Sequence, residues 1–170
     1  MRRPSFQADD AAVKCDLACE VLRSFGSLRF AATGWSMLPT IWPGETLVVE
    51  RVSPDQVRFG DVILVGRERR LCAHRVVSTQ DSGRPHWITQ GDAMPAPDRP
   101  VSASELLGRV GYVIRAGRLI PVPAELSLAE NLIAKLVRRS VPAARALVYL
   151  HDMVCTEEKS ASEKAVPCQG

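Results

Sequence analysis

The chain contains no apolar run approaching the roughly 18 to 20 residues needed to span a bilayer, which excludes a membrane-spanning helix. Its start, Met1-Arg2-Arg3-Pro4, carries charge but runs into Gln7-Ala8-Asp9-Asp10 in place of an apolar segment. A secretory signal is therefore absent from the reading, and a cytoplasmic protein is expected. Neither sign of charge dominates: the net charge is +3, and the basic residues are nearly all arginines scattered along the chain. Without a basic stripe, no nucleic-acid partner is expected. Cysteine is sparse and odd in number, at Cys15, Cys19, Cys72, Cys155 and Cys168. Cys15 and Cys19 stand at helical spacing like half a metal site, yet no second ligand pair follows at zinc-site spacing. Free thiols in a reducing compartment are expected, with no metal and no cofactor. Lysine occurs only at Lys14, Lys135, Lys159 and Lys164, and histidine only at His74, His86 and His151.

What is present describes an ordinary globular chain. Its 170 residues are 46% hydrophobic and 24% charged, enough for one cored domain with a helical appendage. Residues 11–25 read as a helix with Val13, Leu17, Val21 and Leu22 on one face, Asp9 and Asp10 capping its positive end, and Gly26 stopping it. From residue 28 to 121 the texture turns to short runs broken by Gly, Pro, Asp and Ser. Strands are predicted at 28–32, 46–52, 61–65, 71–78, 86–89, 106–115 and 118–121, with turns at Asp81-Ser82-Gly83 and Ala116-Gly117. The Pro-rich stretch 91–100 reads as a long loop. After Pro123 a helix returns, with Leu128, Leu132, Ile133, Leu136 and Val137 as its apolar stripe. Pro142 breaks it before a second helix at 143–154 and a disordered tail from Thr156. The expected organisation is an N-terminal helical segment (1–27), a β domain (28–122), C-terminal helices (123–155) and the tail (156–170).

Three segments carry groups suited to chemistry. In Thr33-Gly34-Trp35-Ser36-Met37-Leu38-Pro39-Thr40, Gly34 frees the backbone beside a serine, and a buried Met37 would pin the turn to the core. In Cys72-Ala73-His74-Arg75-Val76-Val77, His74 and Val76 face one way along a strand and Arg75 the other. A histidine can act as a base near neutral pH without heavy tuning. In Thr89-Gln90-Gly91-Asp92-Ala93-Met94-Pro95-Ala96-Pro97-Asp98, two carboxylates stand six residues apart on a stiff loop. A serine–lysine pair would need a buried lysine with a lowered pKa, and no lysine lies in the β region. His74 is then the base if there is one. Trp35, Trp42 and Trp87 either line a cleft or fill the core.

Together and in this order, these segments resemble the superfamily that joins signal peptidases to LexA-like self-cleaving repressor peptidases. Gly34-Trp35-Ser36-Met37 is similar to the Gly-x-Ser-Met turn of the repressor branch, and Ser36-Met37-Leu38-Pro39-Thr40 to the nucleophile box of the signal peptidases. Phe59-Gly60-Asp61-Val62-Ile63 resembles the Gly-Asp strand before the base, and His74-Arg75-Val76 the His-Arg-Val box of the archaeal and endoplasmic-reticulum type. Gly91-Asp92 with Asp98 resembles that type's acidic loop, although Ala93-Met94 replace its Asn-Asn. The resemblance covers about residues 34–112. It implies a mostly β, LexA/signal-peptidase-like coiled β-fold with Ser36 as nucleophile and His74 as base. It points to Asp98 as the third member, with Asp92 shaping the loop. Gly34 occupies a position where signal peptidases often carry a serine, so an oxyanion hole would rest on backbone N–H groups, including that of Ser36.

Three functions fit these residues. The leading one is a serine endopeptidase acting on a peptide or protein held as an extended strand, such as a leader peptide, with small side chains at the cut site implied by the resemblance. The others are a self-cleaving regulator and an inactive peptidase fold kept as a binding module. The C-terminal helices either pack on the β domain or a partner, or rest peripherally on an anionic membrane through Lys135, Arg138 and Arg139.

Overall fold

The computed structural model describes residues 6–81, 85–139 and 149. The expected second C-terminal helix, the tail and the tip of the Asp81-Ser82-Gly83 turn lie outside the described residues, apart from Tyr149, which is helical and exposed. Within them the chain is a mostly antiparallel β protein with one helix before the sheet and one after it.

Helix α1 spans Phe6–Phe25, starting earlier than expected, so Asp9 and Asp10 fall inside the helix and do not precede it as caps. It ends where the Gly26 N–H donates to the Leu22 carbonyl at 3.0 Å. Of the expected inward face, Leu22 is buried and Val21 half-buried, but its first half turns outward. Val13 and Leu17 are exposed, while Ala12, Ala18 and Leu22 are buried. Small residues at the contact let the helix backbone approach the sheet, which the larger Val13 and Leu17 would prevent.

The strands are β1 (Ser27–Ala31), β2 (Thr46–Glu50), β3 (Val62–Arg67), β4 (Arg70–Asp81), β5 (Pro85–Gln90), β6 (Val101–Ser102), β7 (Leu106–Arg115) and β8 (Arg118–Pro121). They form one sheet in the order β1-β2-β7-β3-β4-β5-β6, with β8 also on β7. Every pairing is antiparallel. β7 is shared in sections: β2 pairs with 109–114, while β3 takes 106–109 and β8 takes 112–115. β3 is buried on both faces, which is why it reads as an unbroken apolar run. Val62 and Leu64 enter one core with Leu22, Met37, Leu47 and Val113; Ile63 and Val65 enter another with Val76, Trp87 and Val101. Burying such side chains supplies about 1.5–3 kcal/mol each, and this two-sided core anchors the strand beside which His74 lies.

Helix α2 spans Leu128–Arg139. Ser127 caps it: Glu130 N–H donates to its hydroxyl, and the Glu130 carboxylate accepts from its N–H at 2.8 Å. Only part of the expected apolar stripe packs inward. Val137 and Ala134 are buried and Ile133 partly so, whereas Leu128, Leu132 and Leu136 face outward. Among the described residues no helix is long and apolar enough to cross a membrane.

Candidate functional site

Ser36 lies in the segment joining β1 to β2. The base of that segment is closed by Ala32 N–H to Glu45 O at 2.8 Å and Gly44 N–H to Ala32 O at 2.7 Å. Arg115, on β7, pairs with the buried Glu45 and donates to the Thr40 carbonyl at 3.1 Å. Between these ties the chain makes tight turns, with Leu38 N–H on Trp35 O and Ile41 N–H on Met37 O. The Leu38–Pro39 peptide is cis. Met37, Leu38 and Ile41 are buried, as expected for Met37, so the turn is held from below while Ser36 stays partly accessible. A Cβ added at Gly34 would meet nothing within 4 Å, so the space on that side of the serine is open.

His74 sits on β4 opposite Ile63, on the face shared with Val76. Its side chain is 9% exposed. The Nε2 atom lies 3.0 Å from Ser36 Oγ, and Nδ1 lies 2.6 Å from Asp98 Oδ2. Asp98 is fixed in turn by Thr89, whose hydroxyl donates to Oδ2 at 2.8 Å and whose carbonyl accepts the Asp98 N–H at 2.7 Å. Residues 36, 74 and 98 thus meet in one hydrogen-bonded chain. With Asp98 accepting at Nδ1–H, the neutral ring leaves Nε2 free to accept the serine proton.

Electrostatics favour the charged ring. Burial is the largest single influence on His74 and opposes its charge, but the hydrogen bond to Asp98, aided by Cys72, outweighs it and pushes the pKa up to about 9. Burial likewise works against the Asp98 carboxylate, yet the bonds from His74 and Thr89 hold its pKa below the ordinary value. Both shifts favour an imidazolium on a carboxylate, so a neutral Nε2 is favoured by alkaline solution.

Two further residues shape the site. Gly91 passes so close that a Cβ there would lie 2.6 Å from Ser36 O, 2.7 Å from Met94 Cγ and 3.1 Å from His74 Nε2. Only glycine fits where this backbone crosses the serine–histidine pair. The same loop is tied to the main chain of Ser36 itself by Ala93 N–H to Ser36 O at 2.8 Å.

Asp92, a sequence candidate for the site, does not reach His74. It is 4% exposed and turned to the opposite side of β4, where Arg75 Nε and Nη2 donate to its two oxygens at 2.8 Å each. The Thr40 hydroxyl donates to it at 2.5 Å. Arg75 uses its remaining nitrogen on the carbonyls of Gly60 at 2.9 Å and Pro123 at 2.6 Å. The cause is strand alternation: Arg75 follows His74 and must point away from it, so a buried guanidinium claims the nearer carboxylate. Sequence reasoning placed Arg75 on the far face but missed this role. The adjacency of Thr40, Arg75 and Asp92 exists only in the folded chain.

The tryptophans divide. Trp87 is 2% exposed and belongs to the core, so it lines no cleft; Trp42 packs beside Leu38, Ala93 and Val137; Trp35 is 39% exposed next to Ser36. Among the described residues Cys15, Cys19 and Cys72 are free thiols, and no group of three or more His, Cys, Asp or Glu side chains is placed to hold a metal ion. In comparisons with known proteins, no family model matches the chain and no curated protein matches it.

Proposed function

We propose that this chain is a serine endopeptidase of the LexA/signal-peptidase-like fold, with Ser36 as nucleophile, His74 as general base and Asp98 as the group that orients and balances the imidazole. The observation that carries the reading is the continuous chain from Ser36 Oγ through both ring nitrogens of His74 to Asp98, with heavy-atom spacings of 3.0 and 2.6 Å. An ion pair kept only for stability would not need its outer nitrogen aimed at a partly accessible hydroxyl beside open space.

In the reaction, Ser36 Oγ attacks the scissile carbonyl while its proton passes to the neutral His74 Nε2. The tetrahedral intermediate collapses as Nε2 returns that proton to the departing amine, leaving an acyl-serine. Water, giving a proton to the same nitrogen, then attacks the ester, and as this second intermediate collapses Nε2 passes that proton to Ser36 Oγ, releasing the acid and the free serine. Asp98 holds Nδ1–H throughout and stabilises the imidazolium. Backbone N–H groups at the turn, including that of Ser36, are the donors for the oxyanion. The substrate is a peptide or protein segment in extended form. β1 ends the sheet order and leads directly into the Ser36 turn, so its outer edge offers main-chain bonds to an added strand.

The raised pKa of His74, together with its short bond to Asp98, favours a second reading, in which the triad is a fixed polar network in a binding module. One experiment separates the two. A degenerate pool of extended peptides is incubated with wild type and S36A at pH 7 and 9, and the products are read by mass spectrometry. New cuts made by wild type and absent with S36A support the peptidase. A pool left intact by wild type at both pH values supports the binding module.

A further inference from the structure

Residues 123–139 lie beyond the stretch that resembles the peptidases, yet they touch every segment that carries a member of the triad. The serine turn is met through Val137, 2% exposed, which packs with Leu38 and Ala93, both fully buried. The acidic loop is met through the same Ala93 and through Arg138, whose Nε donates to the Asp92 carbonyl at 3.0 Å. The histidine strand is met through Arg75, whose guanidinium donates to the carbonyls of Pro123 at 2.6 Å and Ala124 at 3.2 Å. At Gly60, where φ is +89°, an added Cβ would lie 2.6 Å from Ala124 O, so the connector before α2 also presses on the loop leading into β3.

We infer that α2 and its connector form a positioning element for the triad, acting through Val137 and Arg138. This rests on the proposed peptidase reading for its consequence in catalysis, but the geometric part stands without it. Ser36 and Asp98 sit on two loops far apart in sequence. Beside the triad those loops are joined by Ala93 N–H to Ser36 O and by the Thr40–Asp92 bond. Val137 fills the space where the two loops meet, and Arg138 fastens the main chain of Asp92. Loosening either lets the loops shift against one another, which changes the Oγ–Nε2 separation before it unfolds the sheet. Neither residue reaches the reacting atoms; both act through the turns they hold.

The test uses the full chain with V137A, R138A and the conservative V137I. The probe is a peptidyl diphenyl phosphonate of alanine, which bonds to Ser36 Oγ as one phenoxide departs. Labelling kinetics at pH 9, well below each melting point, are separated into apparent probe affinity and limiting rate. Proton NMR follows the His74 Nδ1–H signal, which its bond to Asp98 shifts far downfield. In V137A and R138A the limiting rate is expected to fall by about 100-fold with little change in probe affinity, because misplacement of about an ångström has effects of that size. The downfield signal broadens or vanishes in both, and V137I restores rate and signal. A lowered melting point with labelling rate and signal unchanged overturns the inference, since α2 would then only stabilise. If wild type itself is not labelled, the peptidase reading fails, and the NMR signal alone decides the positioning: retained in V137A and R138A, it overturns that as well.

Discussion

Replacing Asp92 and Asp98 in turn by asparagine separates a structural carboxylate from a functional one. Asp92 and Arg75 are 4% and 8% exposed and share two bonds of 2.8 Å, so D92N leaves a buried guanidinium without its counter-charge. Breaking a buried pair from one side costs about 3–5 kcal/mol. For a chain of this size each kcal/mol moves the melting point by about 2–4 °C, so D92N is expected to melt roughly 6–20 °C lower. Asp98 is 33% exposed and keeps Thr89 as a neighbour, so its bond to the largely buried His74 is partly screened and D98N should lower stability by about 1–3 kcal/mol, less than D92N does. Its larger effect falls on chemistry. An asparagine that donates to Nδ1 fixes the wrong tautomer, and loss of the orienting carboxylate in such a triad lowers kcat by about 10⁴. Thermal melts by circular dichroism and turnover of a peptide identified from the pool give both quantities. D92N should melt earlier than D98N and, assayed cold, lose less kcat than D98N does; D98N should melt above D92N and be almost inert. The opposite pairing of effects would refute the assignment.

The pH dependence follows from the base having to be neutral: with the His74 pKa pushed up to about 9, kcat/KM should climb about tenfold per pH unit toward pH 9 and level off above it, as initial rates at low substrate will show. Stability runs the other way for this group. A folded-state pKa above the ordinary 6.5 means its contribution is complete below pH 6.5 and is lost as pH rises through about 9. The lowered Asp98 makes the complementary contribution, complete above its ordinary 3.8 and lost as pH falls through its folded value, which urea titrations across pH will resolve. G91A places a methyl group against Ser36 O and His74 Nε2, so labelling of Ser36 should be lost, with about 1–3 kcal/mol of destabilisation in urea melts. Arg69 holds φ at +60°, so R69G should raise the stability read in the same melts by about 1 kcal/mol.

Much of the architecture was legible because it rests on local rules. β7 and β8 appear with the expected bounds, since Ala116-Gly117 supplies the two positive φ angles that a tight hairpin needs. The β3–β4 hairpin was not marked as a turn because Glu68 and Arg69 adopt the same positive φ without glycine or asparagine; the pairing of Arg67 with Arg70 imposes it. β6 is two residues long and is held by its pairing with His86 and Trp87, which no local pattern reveals. On α1, hydrophobicity marked Leu22 as inward, as it is, but missed the rest of the buried face, because close approach to the sheet selected Ala12 and Ala18 over Val13 and Leu17. For the site, Ser36, His74 and Asp98 were singled out by the order of their segments and its resemblance to the peptidase superfamily, and the three side chains meet in the fold. Asp92 could not be told from Asp98 by its own loop. Its place follows from Arg75 on a strand seventeen residues earlier and from the burial that makes each need the other.

The central claim is that the hydroxyl at position 36 is a nucleophile made so by the imidazole at position 74. Its most direct measurement is the intact mass of the protein after exposure to the alanine phosphonate at pH 9, with peptide mapping of the adduct. One adduct on Ser36 in wild type, absent in S36A and H74A, is the predicted result. A wild-type mass that does not change, or an adduct that forms equally in H74A, contradicts it.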